Sequence, residues 1–536
     1  MLGTSLVGVA ALCRGGARRA PERVAVEWEG GAVTFAELDK RTDALARHLQ
    51  GRLSTSARVG VYCENRVEWI EAYVAAHKAG IPVVPINHRY RSRELGHILA
   101  EAEIGLLVHD DTATDDPDVQ RLIGGQEALT VGEQYDRVVS ESGPPPEPRT
   151  GREDAIIYTS GTTSLPKGVV YTRETQLTSV FIPQITMGYD PSDRFLLFTP
   201  LAHRAAQPLL LCALILGAST YLLQRYTAED LASAVQEHGI TALTGVPTAV
   251  KDLLGLRRAS AISSLPTVRH VLMSGESMPA SLLRELMDLC LNARLGTAYG
   301  STEAGLVTFL DHEHQLDRPR SCGRPLQGVQ IRLADDGAPV GPGEPGEVLV
   351  RAGEPGSYTV AAGYLSAGET ESFVDEQGWF HTGDVAEFDR DGFMRIVDRK
   401  KDMILSGGMN IASKEVEEVI AAHPSVAEVA VTGEPDERFG ERVVAWIVPR
   451  DGASPPDPEE IVAHVVARAA GYKKPRVVHI VPSLPRSASG KVLKRTLKAL
   501  DPSTPQEHLL HRSANERRRA RRDRYPHARE DSWHRA

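Results

Sequence analysis

Short apolar runs alternate with segments of helical apolar spacing between residues 34 and 300, and this alternation restricts the fold more than any other feature. It is typical of parallel sheets whose faces are covered by helices. We therefore predict an α/β fold with a large N-terminal domain of mainly parallel sheets flanked by helices. The strand-like runs are 59–62, 81–85, 155–158, 195–198, 218–223, 242–245 and 270–273, and the helical patterns are 34–49, 69–78, 228–238 and 279–291.

The pattern changes after residue 300, where short alternating strands are separated by turn residues. This change predicts a small β-rich subdomain over about 306–398, which completes an N-terminal domain of residues 1–398. Residues 399–500 mix helical and strand patterns and are expected to form a small, mobile α+β C-terminal lid domain with its hinge near Lys401. Residues 501–536 form a basic tail. The tail could contact polyanions or phospholipid, but a flexible, solvated extension is favoured.

Composition and charge exclude several classes of protein. A chain of 536 residues is too long for one hydrophobic core, so several domains are expected. A net charge of -10 argues against nucleic-acid binding, and the longest apolar stretch, 209–216, is too short to span a membrane. Five scattered cysteines without C-x-x-C spacing suggest neither disulfides nor a zinc site and fit a cytoplasmic location.

A segment rich in glycine, serine and threonine, Tyr158-Thr-Ser-Gly-Thr-Thr-Ser-Leu-Pro-Lys-Gly-Val169, includes the end of one strand-like run. Glycine allows a turn there, while hydroxyl, amide and ammonium groups can bind anionic oxygens. The spacing is not that of a P-loop, because the lysine precedes its glycine. An ordinary turn is the alternative to a nucleotide-phosphate site. The predicted phosphate-binding residues are Thr159, Ser160, Gly161, Thr162, Thr163 and Lys167.

Four further motifs follow this segment, and together the five resemble the ordered core motifs of the adenylate-forming superfamily. That superfamily includes acyl-CoA synthetases, peptide-synthetase adenylation domains and luciferases. Each motif alone is weak, but five in this order are specific, and the resemblance covers roughly residues 20–497. The four motifs are Tyr299-Gly-Ser-Thr-Glu-Ala-Gly305, His381-Thr-Gly-Asp384, Ile396-Val-Asp-Arg-Lys-Lys-Asp402 and Pro485-Arg-Ser-Ala-Ser-Gly-Lys491.

The resemblance implies how ATP is bound. The segment from Thr159 to Lys167 would hold the β- and γ-phosphates, and Tyr299 would stack on adenine. Asp384 would accept hydrogen bonds from the ribose hydroxyls, with help from Arg399. Without the resemblance, Tyr299 would be read as a core tyrosine and the motif ending at Asp384 as a turn.

The resemblance also implies which residues act on the reacting groups. Thr302 would bind the α-phosphate, and Glu303 would bind Mg²⁺, which prefers carboxylate and phosphate oxygens. Lys491 would bridge the substrate carboxylate and the phosphate while the adenylate forms. The ordinary alternatives are a helix start at Thr302 and a surface lysine at position 491.

Thiol transfer and acid binding involve further residues in the resembling family. His203, in Pro200-Leu-Ala-His203, would gate the path between acid and thiol. After a swing of the lid about Lys401, Gly407 and Gly408 would shape the thiol tunnel. The acyl pocket would be lined by Gln207, Gly245, Thr248, Gly275, Glu276 and Ala298.

Three residues depart from the pattern of the resembling family. Ser164 occupies a position where glycine is common, which would cause strain if that position needs a positive φ. Ala298 replaces a glycine and could narrow the pocket. Arg204 introduces a cation where small or apolar residues are frequent, and an anionic or bifunctional substrate would explain it.

The sequence therefore predicts an ATP- and Mg²⁺-dependent ligase that converts a small-molecule carboxylic acid into an acyl adenylate and then an acyl-CoA. An alternative is a stand-alone enzyme that passes its activated group to a carrier protein or a nitrogen nucleophile. The 45 residues after Lys491 are too few for an attached carrier domain. A non-enzymatic scaffold is the third hypothesis, and the presence of the expected active-site residues disfavours it.

Overall fold

A computed structural model describes residues 8–54, 56–111, 116–147, 153–159, 165–245, 247–274, 278–366, 369–450, 455–486 and 492–498. The chain divides into two compact units, Met1–Lys401 and Asp402–Ala536.

The first unit contains the long helices that cover its sheets. These helices are α1 (Val9–Arg19), α2 (Phe35–Arg52), α3 (Val67–Ala79), α4 (Ser92–Glu101), α5 (Pro117–Gly124), α6 (Glu133–Ser140), α7 (Arg173–Met187), α8 (Gln207–Leu216), α9 (Ala228–Glu237), α10 (Pro247–Arg258) and α11 (Ala280–Leu289).

The strands of the first unit are mostly short, and those predicted from apolar runs are found near their expected positions. The strands are β1 (Val24–Trp28), β2 (Gly31–Thr34), β3 (Arg58–Tyr62), β4 (Val83–Pro85), β5 (Ile104–His109), β6 (Ala128–Thr130), β7 (Glu153–Thr159), β8 (Lys167–Thr172), β9 (Arg194–Leu197), β10 (Ser219–Leu222), β11 (Ala242–Gly245), β12 (His270–Ser274), β13 (Arg294–Ser301), β14 (Gly305–Leu310), β15 (Arg324–Pro325), β16 (Gln330–Asp335), β17 (Ala338–Pro339), β18 (Gly346–Arg351), β19 (Gly363–Ser366), β20 (Glu369–Glu371), β21 (Phe380–Phe388) and β22 (Met394–Arg399).

Two mainly parallel sheets form the body of this unit, which confirms the predicted α/β class. One has nine strands in the order β15-β14-β13-β12-β11-β9-β10-β1-β2, and the other has eight in the order β20-β19-β8-β7-β4-β3-β5-β6. Both sheets are parallel in their centres. The antiparallel pairs lie at the ends, where β13 pairs with β14 and β8 pairs with both β7 and β19.

A hydrophobic core joins the two sheets through a layer that includes α1, α3, α7 and α8. Helix α8 is buried along almost its whole length, which explains why 209–216 is so apolar. A second core lies where α9, α10 and α11 pack against strands of the nine-stranded sheet. Among the helices of the described residues, none combines the length and the apolar character that a membrane span requires.

The predicted β-rich subdomain is a five-stranded antiparallel sheet in the order β17-β16-β18-β21-β22. Its core contains Val348, Val350 and Phe380 together with Ala304 and Val307. The last two residues belong to the turn after β13 and to β14. The subdomain therefore packs directly against the end of the nine-stranded sheet.

The second unit is an α+β domain with its own core. Its sheet has the order β24-β23-β26-β25, with β27 parallel to β26. Trp446 lies on β26 and is 1% exposed. Its Nε1 donates to Thr432 Oγ1 at 3.0 Å. Its elements are β23 (Ile404–Ser406), β24 (Met409–Ile411), α12 (Ser413–Ala421), β25 (Val426–Asp436), β26 (Gly440–Pro449), α13 (Pro458–Val466), β27 (Val477–Ile480) and α14 (Lys494–Lys498).

A buried cation connects three helices of the first unit. The side chain of Lys78 on α3 is only 1% exposed, and its Nζ lies 2.5 Å from Asp39 Oδ1 and 2.7 Å from Asp43 Oδ1 on α2. Arg14 on α1 contacts the same oxygen of Asp43 at 2.8 Å. Removing one partner of a buried ion group leaves charges that are neither hydrated nor paired, which is strongly destabilising.

We predict that Lys78→Met lowers the free energy of unfolding by about 3–5 kcal/mol, because Asp39 loses its buried partner and Asp43 keeps only Arg14. Lys40→Met makes the same chemical change at an exposed position of α2, and it should change the stability by less than about 0.5 kcal/mol. Urea unfolding followed by circular dichroism measures both. Equal stabilities of the two variants would contradict this role of Lys78.

Candidate active site

The predicted phosphate-binding segment connects two antiparallel strands. Thr159 at the end of β7 lies directly opposite Lys167 at the start of β8. Lys167 is exposed, and its Nζ lies 4.9 Å from the centre of the Tyr364 ring on β19. The hydroxyl and ammonium groups at the two ends of the segment are therefore held side by side.

The turn between β13 and β14 carries Thr302 and Glu303. Gly300 opposes Leu306 and Ser301 opposes Gly305, so the chain reverses sharply. A Cβ atom on Gly300 would lie 2.1 Å from the carbonyl oxygen of Gly305, which itself has a φ of +66°. Glycine is required at Gly300 by this close approach of the two strands and is favoured at Gly305 by the positive φ.

Strands from the other sheet hold this turn in place. The Tyr171 hydroxyl on β8 donates to the carbonyl oxygen of Thr302, and the Ala361 amide donates to the carbonyl oxygen of Glu303 at 2.8 Å. The Tyr364 hydroxyl donates to Glu303 Oε1 at 3.0 Å. Burial, followed by the charge of Glu303, raises the pKa of Tyr364, so its phenol stays protonated and remains a donor. The predicted phosphate and metal residues are thus brought together.

Asp384 and Arg399 face each other on neighbouring strands β21 and β22. Arg399 Nε lies 3.3 Å from Asp384 Oδ1, and the Tyr299 hydroxyl donates to Asp384 Oδ2 at 2.8 Å. Burial, and then the charge of Asp384, raises the pKa of Tyr299 well above its ordinary value. Each carboxylate oxygen keeps a further acceptor position, so the group can still receive hydrogen bonds from a ligand.

Several residues expected to line the acyl pocket lie at the carboxyl ends of neighbouring parallel strands. Gly245 on β11 opposes Met273 on β12, and Ser274 on β12 opposes Ala298 on β13. Ligands of parallel α/β sheets commonly bind at such an edge. A Cβ atom on Gly245 would lie 3.9 Å from the Phe198 ring, so an aromatic side chain borders this edge.

The segment after β9 carries His203 and leads into α8, which begins at Gln207. Gln207 is 0% exposed, its Nε2 donates to the carbonyl oxygen of Leu201 at 3.3 Å, and its Oε1 accepts from the Tyr73 hydroxyl at 3.4 Å. Gln207 is therefore buried with its amide hydrogen-bonded, and its place in the lining of the acyl pocket stays a prediction. His203 is exposed, and its Nδ1 accepts from the Ala205 amide at 3.2 Å.

In the second unit, Gly407 and Gly408 form the turn between β23 and β24, with φ values of +61° and +78°. Two consecutive positive φ angles favour glycine and are typical of a tight hairpin. Lys401 is the last residue of the first unit. An isolated bridge between Arg486 and Val492 brackets the segment that contains Lys491.

Some predicted residues lie outside the part of the chain that the structure describes. For Thr248, only its place in α10 is described, without its side chain. The predicted residues outside the described ranges are Ser160, Gly161, Thr162, Thr163, Ser164, Gly275, Glu276 and Lys491, together with the tail 501–536.

Sequence reasoning missed Tyr171 and Tyr364. Both are long-range partners of the Thr302–Glu303 turn, separated from it by 131 and 61 residues. It also missed a support for the phosphate segment, where the Tyr158 hydroxyl donates to Glu101 Oε2 at 2.8 Å and His97 Nε2 contacts the carbonyl oxygen of Pro166 at 2.9 Å. In the sequence, the pair Gly363-Tyr364 within a strand-like pattern was the feature that could have indicated a functional tyrosine.

The arrangement suits a nucleotide and a hard divalent cation. Lys167 and Thr159 offer charge and a hydroxyl at one end, while Glu303 offers a half-buried carboxylate with one oxygen held by Tyr364. Mg²⁺ usually binds one or two protein carboxylates and completes its coordination with phosphate oxygens and water. Glu303 fits that requirement.

Comparison with protein families identifies both units. Residues 13–365 match the AMP-binding enzyme family, and residues 415–491 match the C-terminal domain of AMP-binding enzymes.

Two individual relatives match most of the chain, and both are CoA ligases. A feruloyl-CoA synthase from Amycolatopsis sp. is 35% identical over 484 residues, which cover 89% of this chain and 96% of the relative. A 2-succinylbenzoate–CoA ligase from Bacillus licheniformis is 33% identical over 488 residues, with 89% and 97% covered.

The fold resembles o-succinylbenzoate CoA synthetase from Bacillus subtilis in complex with its acyl-adenylate intermediate. The TM-score is 0.80 at 28% identity, with 91% of this chain and 98% of that chain covered. A complex of the same synthetase with ATP and a magnesium ion gives a TM-score of 0.79 at 28% identity, with 91% and 99% covered.

We predict that Tyr364→Phe raises the Mg²⁺ concentration needed for half-maximal ATP-dependent pyrophosphate release by about 5-fold, which corresponds to one lost hydrogen bond to Glu303. The ring over Lys167 is kept. Tyr358→Phe removes a hydroxyl that donates to the carbonyl oxygen of Gln327, and it serves as the control. An unchanged Mg²⁺ dependence in Tyr364→Phe would show that this hydrogen bond does not position Glu303.

Proposed function

The chain belongs to the family of AMP-binding enzymes, and from this premise we propose which residues carry its reaction and which class of acid it uses. The reaction is ATP-dependent activation of a carboxylic acid through an acyl adenylate, followed by ligation to CoA. ATP and Mg²⁺ are its cofactors, and CoA is its co-substrate. The relatives are CoA ligases, and they give no support to a carrier protein as acceptor.

The observation that carries the residue assignment is the convergence of Lys167, Tyr364 and Glu303 beside Thr302. Attack of a carboxylate on the α-phosphate brings two anions together, so catalysis depends on charge neutralisation and positioning. In our proposal, Thr159 and Lys167, together with Ser160, Gly161, Thr162 and Thr163, bind the β- and γ-phosphates. Thr302 binds the α-phosphate and Glu303 binds Mg²⁺, which when present neutralises phosphate charge.

The nucleoside is assigned to the Tyr299–Asp384 pair. Asp384 accepts hydrogen bonds from the ribose hydroxyls with its remaining acceptor positions, and Arg399 beside it orients the carboxylate. The Tyr299 ring, fixed at its hydroxyl end by Asp384, offers a flat surface to adenine.

Lys491, Lys401, His203 and the turn of Gly407 and Gly408 are assigned by resemblance. Lys491 supplies the ammonium that lets the carboxylate meet the phosphate, and Lys401 is the hinge between the two half-reactions. His203 and the turn of Gly407 and Gly408 serve the thiol step. The position of Lys401 at the end of the first unit supports the hinge assignment, and residues 399–500 remain the proposed lid.

We assign an aromatic carboxylic acid as the substrate class. The relatives named above act on ferulate and 2-succinylbenzoate, both of which are aromatic acids. The strand edge with Gly245 and Ala298 carries small side chains and is bordered by Phe198, whose ring centre lies 5.5 Å from that of Tyr226. This combination suits a flat ring. The five buried, free cysteines support a reducing, cytoplasmic location.

We predict that Lys491→Ala abolishes adenylate formation but leaves pre-formed adenylate able to react with CoA, because only the first step brings two anions together. Pyrophosphate release and acyl-CoA formation from synthetic adenylate measure the two steps. Lys498→Ala, at an exposed position of α14, should leave both steps unchanged. Normal acid activation by Lys491→Ala would show that the assignment of this lysine is wrong.

A screen of carboxylic acids tests the proposed class. We expect aromatic acids to support pyrophosphate release well above aliphatic acids of equal carbon number, and CoA to convert the adenylate to a thioester with release of AMP. Mass spectrometry identifies the thioester. A preference for aliphatic acids would contradict the aromatic assignment.

A further inference from the structure

Arg204 is a cation with two buried nitrogen atoms that make no hydrogen bond to the described residues. It follows His203 in the connection between β9 and α8, and its guanidinium carbon lies 4.5 Å from the centre of the Tyr171 ring. The Nε and Nη1 atoms of Arg204 are buried, and neither has a hydrogen-bond partner within the described ranges. Burying donor groups of a charged side chain without acceptors is costly. Such an arrangement indicates a missing acceptor.

The surroundings of Arg204 do not supply that acceptor. The Tyr171 hydroxyl donates to the carbonyl oxygen of Thr302, and its oxygen accepts no hydrogen bond from Nε or Nη1 of Arg204. Gln207, one turn further along, has its amide occupied by Leu201 and Tyr73. Across the described residues, no carboxylate forms an ion pair with Arg204.

Stacking also fixes how a ligand could bind. A guanidinium above an aromatic ring keeps its edge available, and that edge presents N–H groups in one plane. A carboxylate matches this planar arrangement of donors better than any neutral group does. The free groups of Arg204 therefore favour a planar anion.

The reacting carboxylate does not account for this cation. It is common to all acids, and in the proposed function Lys491 neutralises it while Thr302 holds the phosphate that it attacks. Arg204 is an additional positive charge in the segment that begins at the candidate gate His203, and Tyr171 connects it to Thr302. A second anion on the same substrate would satisfy it.

We propose that Arg204 binds a second carboxylate of the acid, so that the preferred substrates are dicarboxylic acids. This inference rests on the proposed function, because it concerns the acid-binding part of the same site. Arg204 is a specificity residue in this reading, since it contacts the substrate away from the bond that forms.

Two matched pairs of acids test the proposal. Benzoate is compared with terephthalate, and 3-phenylpropanoate with 3-(2-carboxyphenyl)propanoate, in pyrophosphate release and in calorimetric binding to the full-length protein. We expect the wild type to favour the dicarboxylate of at least one pair. Arg204→Gln should lower kcat/KM for that acid by about 10- to 100-fold, mainly through KM, because a charge-assisted hydrogen bond is lost. The monocarboxylate should change less than 3-fold.

Further variants test whether Arg204 acts through its planar donor groups or only through its positive charge. Arg204→Lys keeps the charge without the planar donors and should restore only part of the preference. Arg390→Gln, at an exposed position of the β-rich subdomain, should behave as the wild type. Circular dichroism and thermal unfolding check that Arg204→Gln is folded.

The possible outcomes distinguish this proposal from the proposed function. Equal losses for both acids of a pair, or a wild type that neither binds nor activates any dicarboxylate better than its partner, would overturn the role of Arg204. Succinate and glutarate are included for comparison with the aromatic acids. If the Arg204-dependent preference appears only with these aliphatic acids, the aromatic class is wrong while the role of Arg204 stands.

Discussion

The pairing of β8 with β7 on one side and β19 on the other is the constraint on which the site depends. β7 and β8 are consecutive strands, whereas β19 comes from a distant part of the chain, and the antiparallel registers place Lys167 beside Thr159 and Tyr364 beside Val169. Because side chains alternate between the two faces of a strand, a slip of one residue would turn Tyr171 or Tyr364 away from the Thr302–Glu303 turn. The turn would then lose its two phenol donors. The position of Thr302 and Glu303 is thus determined by strand register in a sheet to which they do not belong.

Around this turn, neutral phenols orient carboxylates without cancelling their charge. Tyr364 donates to Glu303, and Tyr299 donates to Asp384. Burial keeps both phenols protonated, so each can act only as a donor toward its carboxylate. A lysine or arginine in place of Tyr364 would also hold Glu303 but would occupy it as an ion pair. With the phenol there, the second carboxylate oxygen of Glu303 can bind a cation. Asp384 keeps acceptor positions for hydroxyl groups beside Tyr299 and Arg399.

Local patterns in the sequence allowed much of the fold to be predicted, whereas long-range side-chain contacts could not be. The alternation of strands and helices, the β-rich stretch after residue 300 and the glycine turn at Gly407 and Gly408 all depend on neighbours in sequence, and the predicted class is confirmed. Tyr171 and Tyr364 act across 131 and 61 residues, a distance over which neither periodicity nor turn chemistry carries information. The contact of Gln207 is of the same kind, since its partner Tyr73 lies 134 residues away. The residue type was visible, but the direction of its side chain was not.

The close approach at Gly300 has a consequence for how such a protein can diversify. No side chain fits between Gly300 and the carbonyl oxygen of Gly305, so the hairpin that presents Thr302 and Glu303 tolerates almost no change. Arg204 lies in a separate connection, between β9 and α8. Mutations of Arg204 can change which acid is bound, while the turn with Thr302 and Glu303 that binds the nucleotide stays unchanged. Related enzymes can in this way acquire new substrate specificities while their reaction mechanism stays the same.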